Sequence, residues 1–71
     1  MIQMKPTIRQ SALSYIKSRP DSVLDTWERI FIDDKDPLIY AFILIRSDRE
    51  SYIDDDAAIF ELAYVMKEGD E

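Results

Sequence analysis

The sequence predicts an all-α fold, a compact bundle of four short helices in which residues 1–71 form a single domain. Three observations carry this. Two capping signatures, Thr-x-x-Gln and Ser-x-x-Asp, each precede a stretch that is apolar on one helical face, and an Asp-Pro pair opens a third stretch. One glycine and three prolines leave few places for irregular backbone.

The first helix is expected from Thr7 to about Ser18. Thr7 and Gln10 suit a reciprocal capping pair, and Ile8, Ala12, Tyr15 and Ile16 fall on one face. "RPDS" then interrupts the pattern. Ser22 with Asp25 repeats the capping signature ahead of Val23, Leu24, Trp27, Ile30 and Phe31, the spacing of an amphipathic second helix. Asp25 and Arg29 are one turn apart and placed to pair, while Ile32 points away from the apolar stripe.

In "DDKDP", Asp36 takes the N-cap position of a third helix and Pro37 its first turn, where a missing N–H costs nothing. This helix runs to about Ser47. Every residue from Leu38 to Ile45 is apolar or tyrosine, so periodicity does not separate helix from strand, and the alternative fold is α+β with residues 38–45 as a buried strand. A lone strand needs a partner, and "RIFI" already belongs to the second helix. The fourth helix, about Asp55 to Glu68, carries Ala58, Ile59, Leu62, Ala63, Val65 and Met66 on one broad face and stops at Gly69, with the tail beyond expected to fray.

Trp27, Phe31, Phe42, Leu44, Leu62 and Met66 are the expected core. Phe60 and Tyr64, one turn apart, fall outside the stripe of the fourth helix, either wedged against a neighbour or facing a partner. A third helix apolar on every side must be enclosed, and three short neighbours do not suffice. A homodimer burying part of that helix, or the Phe60/Tyr64 edge, is therefore expected.

The chemistry present narrows function by exclusion. With no histidine and no cysteine, the usual proton shuttles and activated nucleophiles are missing, and one glycine supports neither a phosphate-binding loop nor a dinucleotide fingerprint. Ser14 and Lys17 match a Ser-x-x-Lys spacing without its accompanying motifs, and read as a solvated face. The expectation is a non-enzyme with no catalytic residue and no cofactor. A calcium loop started at Asp34 fits Asp36 at its third position but meets Leu38, Ile39 and Ile45 where a ligand, the turn glycine and the bidentate acid belong. Adjacent aspartates on a helix start diverge by about 100° each, so Asp54, Asp55 and Asp56 do not converge on one ion either. No metal site is expected.

The longest apolar run, "LIYAFILI", has eight residues where a membrane span needs about 20, and the first residues lack the apolar stretch of a secretion signal. These features and the absent cysteines fit a cytoplasmic protein that contacts no membrane. The net charge of −6 is unevenly distributed: residues 1–20 hold Lys5, Arg9, Lys17 and Arg19 with no acid, and the rest holds 15 acids against five bases. An acidic body steers toward basic partners. Direct nucleic-acid binding is disfavoured, because the second helix of any helix pair is acidic or apolar where a recognition helix needs basic side chains.

The leading expectation is a protein-binding inhibitor or regulator whose acidic surface, Asp33, Asp34, Asp36, Asp48, Glu50, Asp54, Asp55 and Asp56, engages a basic patch of its target, with Phe60 and Tyr64 as an aromatic contact. In size and charge it is similar to the nucleic-acid mimics by which mobile elements block nucleases and defence complexes. The alternative is a structural or assembly subunit acting through apolar helix contacts. "LDTWERI", residues 24–30, resembles the matching stretch of the Hha/YmoA family of small all-helical nucleoid-associated regulators, which implies action by binding another protein.

Overall fold

Capping chemistry and apolar stripes build four helices and one short turn of 3₁₀ helix in the computed structural model, which describes residues 7–69. They are α1 (Ile8–Lys17), α2 (Asp21–Asp33), α3 (Leu38–Arg46), a 3₁₀ turn (Glu50–Tyr52) and α4 (Asp56–Gly69). The fold is all-α, and no strand occurs among the described residues. Residues 38–45 are helical, so the α+β alternative is corrected. The Asp-Pro start decides it: Asp36 Oδ1 accepts the Leu38 N–H at 3.0 Å, although the helix begins at Leu38 with Pro37 in the N-cap position, one residue later than the sequence predicts.

At α1 the reciprocal cap forms as expected, with Thr7 Oγ1 accepting from the Gln10 N–H and Gln10 Oε1 from the Thr7 N–H. The start of α2 differs. Its first residue is Asp21, after Pro20, so Ser22 lies inside the helix and caps nothing; its carbonyl instead accepts from Thr26 Oγ1. Proline at this boundary is pre-set for extended backbone followed by helix, and the helix starts two residues earlier than the Ser22 cap implies.

Helices α2 and α3 end alike, in a Schellman motif without glycine. The Asp36 N–H reaches the Phe31 carbonyl and Lys35 N–H that of Ile32; the Arg49 N–H reaches Leu44 and Asp48 N–H that of Ile45. Lys35 (φ 53°) and Asp48 (φ 61°) adopt the left-handed conformation glycine would normally supply. Gly69 serves another purpose. It is the last helical residue of α4 rather than a stop beyond it, and a Cβ there would stand 2.5 Å from the Trp27 ring. Its missing side chain lets the end of α4 lie against the indole.

Helix α3 is the hub: it packs against α1, α2, α4 and the 3₁₀ turn, and α1 packs along α4. Ile16, Leu24, Phe31, Ala41, Phe42, Ile45, Ile53, Ile59, Leu62 and Met66 form the buried cluster. Of the expected core, Phe31, Phe42, Leu62 and Met66 lie inside it, while Trp27 and Leu44 are half-buried at its margin. Phe31 links the two groups, stacking on Trp27 and meeting Phe42 edge-on, both at 5.6 Å between ring centroids. Ile8 and Ile30, expected on the buried faces of α1 and α2, are exposed, whereas Ile32 is exposed as expected. Short helices bury only the residues nearest their axis of contact, and Ile8 and Ile30 sit at the edges of their stripes.

Candidate protein-interaction surface

Capping and ion pairing place each predicted carboxylate, and they divide the acids into three settings. The first is an ionic cross-link between α1 and the α3–α4 connection. Lys17 Nζ donates to Asp48 Oδ1 at 2.8 Å and also to Glu50 Oε1, while Arg9 pairs with Asp56 and donates from Nη2 to the Glu50 carbonyl at 2.8 Å. Hydrogen bonds from Lys17 hold the Asp48 and Glu50 carboxyls below the usual carboxylate range, and Asp48 in turn raises the pKa of Lys17.

This pairing changes the electrostatic picture drawn from the chain alone. The basic first segment and the acidic body are not separate poles, because Arg9 and Lys17 are engaged by acids more than 30 residues away. Arg19 lies over the Tyr15 ring, 4.6 Å from its centroid. Lys5 lies outside the described residues, as do Asp70 and Glu71 at the end of the tail. On α2 the expected Asp25–Arg29 pair is replaced: Asp25 and Glu28 both bind Arg46 of α3, whose pKa is raised mainly by its hydrogen bond to Asp25. A cross-helix arginine reaches both acids at once, which a partner on the same helix does not.

The second setting is the start of α4. Asp55 Oδ1 accepts the Ala57 N–H at 2.9 Å, so Asp55 is the cap, Asp56 sits in the first turn and Asp54 just before, all at the positive end of the helix dipole. The third is the α2–α3 turn. Asp33 ends α2, Asp34 is its C-terminal cap residue, and both are exposed with no ion pair among the described residues; no basic residue stands in the last turn of α2. The first N–H groups of α3 are already taken by Asp36 and by main-chain carbonyls.

Phe60 and Tyr64 stand apart from the acids. With Ile8, Ala12, Tyr15 and Lys67 they line an open groove of about 330 Å³ between α1 and α4, Phe60 half-buried and Tyr64 65% exposed. The structure therefore brings Asp48, Glu50 and Asp56 together around α1, sets Asp33, Asp34 and Asp36 at the opposite end of α3, and puts the aromatic pair on another face. Among the described residues no acids cluster as a metal ion would require, and no helix is long and apolar enough to cross a membrane.

The sequence leads one to expect part of α3 to lie uncovered but does not name its outward residues, Tyr40 and Ile43, which are exposed. The continuous apolar run hid them, since nothing in "LIYAFILI" marks which side faces water. No protein-family model matches the chain, and no curated protein or solved structure is detectably similar to it. The resemblance of "LDTWERI" to the Hha/YmoA family thus stays confined to seven residues of α2.

Proposed function

We propose that the chain is a small, non-catalytic regulator that works by covering a basic surface of another protein. The observation that carries this reading is the placement of Asp33 and Asp34. A carboxylate at the C-terminal end of a helix meets the negative end of its dipole and costs stability. Two stand there without an ion pair among the described residues, although Lys35 follows them directly and Arg29 precedes Asp33 by one turn. Folding gains nothing from this surplus, and local conflicts of this kind are the usual mark of a functional site.

The reading is tested by capturing the partner from the native host, then titrating the isolated complex with salt. Affinity is expected to fall at least tenfold between about 50 and 300 mM salt, and to fall again in Asp33→Asn/Asp34→Asn. An affinity indifferent to both overturns it. The narrower form, a nucleic-acid mimic of the anti-defence kind, further requires that duplex DNA compete with the chain for that partner.

A second reading, assembly through apolar helix contacts as a homodimer, is favoured by one observation. Tyr40 is 74% and Ile43 46% exposed on α3, and Ile32 of α2 is exposed as well. A helix apolar on all sides is one that expects to be covered.

A further inference from the structure

We infer that two copies of this chain meet antiparallel, α3 against α3, across a two-fold axis between Tyr40 and Ile43. This rests on the homodimer reading above and specifies its geometry. Tyr40, Ile43 and Ser47 follow one another at i, i+3 and i+7, an outward line on the side of α3 opposite fully buried Phe42 and Ile45, with half-buried Asp36 just before the helix. Ile43 shares a shallow depression with Glu28, and Ile32 lies one turn beyond Glu28 on the same face of α2, so Ile32 widens the apolar stripe.

Charge at the two ends of the stripe chooses the occupant and its direction. The N-terminal end carries Asp33, Asp34 and Asp36 against one base, Lys35. At the C-terminal end Asp48 and Glu50 share one cation, Lys17, and Arg46 is occupied by Asp25 and Glu28. Arg49 is exposed there, and its guanidinium has no partner among the described residues. A parallel pairing stacks acid end on acid end. An antiparallel one brings each acid end to the second copy's Arg49, and it is self-complementary, as a two-fold contact must be. Register agrees: an axis midway between Tyr40 and Ile43 sets Asp36 opposite the second copy's residue 47, two positions from Arg49.

Sedimentation equilibrium of the full chain up to about 1 mM, with circular dichroism confirming each variant's helicity, tests the arrangement. The wild type is expected to dimerise, Ile43→Lys to weaken dimerisation at least tenfold, and Asp34→Arg and Arg49→Asp each to weaken it severalfold. The double variant Asp34→Arg/Arg49→Asp is expected to return to within about twofold of the wild type, since the charges are exchanged and not removed. A chain monomeric throughout overturns the homodimer reading and this geometry together. A dimer insensitive to Ile43→Lys keeps the homodimer and overturns the α3 face, and a double variant no better than its parents overturns the antiparallel direction.

Discussion

"IDD" occurs twice, at residues 32–34 and 53–55, and the two copies sit at opposite ends of helices. After Ile53 the aspartates lead into α4, where Asp55 caps the first turn and its neighbours lie in a favourable field. After Ile32 they close α2, where the field has the other sign and neither forms an ion pair among the described residues. The same three residues are explained by folding in one place and opposed by it in the other. Only the copy at residues 32–34 leaves charge for binding to account for.

Both regions depend on α3, which separates them, and the largest expected effect comes from removing its anchor. Phe42 is fully buried against Phe31. Phe42→Ala is expected to cost about 3–5 kcal/mol, a large share of the roughly 4–10 kcal/mol available to a domain of this size. Urea unfolding checks it. A loss under about 1 kcal/mol would mean that α3 is not the hub, and the contrast between its two ends would lose its frame.

Next is the favourable copy. Asp55→Ala removes the acceptor for the Ala57 N–H and should destabilise the chain by about 1 kcal/mol. Asp54→Ala, with no hydrogen bond to lose, is expected to change stability far less. Equal effects from the two would show that charge near the helix start matters and the cap itself does not.

What the sequence disclosed follows the same division. Most local signals were legible: the Thr7–Gln10 box, the Asp36-Pro37 start and the α4 cap involve residues within three positions of each other, whereas the equally local Ser22–Asp25 pair misled. Long-range pairings were not. Arg9 meets Asp56 and Lys17 meets Glu50 across 47 and 33 residues, and only the packing of α1 on α4 and of α3 on the 3₁₀ turn brings them together. The helix ends at Lys35 and Asp48 gave no signal either, because a left-handed residue is read from glycine and neither is one. Within the candidate surface, the eight acids were visible as a set, but which of them are spent inside the fold was a property of the tertiary structure.

A smaller effect separates the spent acids from the rest. Asp48 and Glu50 have lowered folded-state values, so the stability they contribute is present above the ordinary carboxylate range near pH 4 and is lost as pH falls through the lowered values. Lys17, raised, contributes below about pH 10.4 and loses its contribution as pH rises through its higher value. Lys17→Met should therefore flatten the acid limb of the stability curve below about pH 4, an effect kept small by the solvent around these groups. An acid limb as steep as the wild type's would assign acid sensitivity to other carboxylates.

The smallest expected change decides the most. Asp33→Asn/Asp34→Asn removes two charges from the negative end of α2 and should stabilise the chain by about 0.3 kcal/mol per site at low salt, with the gain fading as salt rises. The matching change at α4, Asp54→Asn/Asp55→Asn, should destabilise it, because the same charges there face a positive helix end. Opposite signs from one chemical change, made in two copies of the same tripeptide, would locate the surplus charge at the α2–α3 turn. Charge that weakens its own fold at that turn is free to serve binding, as a basic partner would use it. Two destabilising outcomes would instead tie Asp33 and Asp34 to the start of α3, and the charge that now points to a basic partner would be absorbed by the fold.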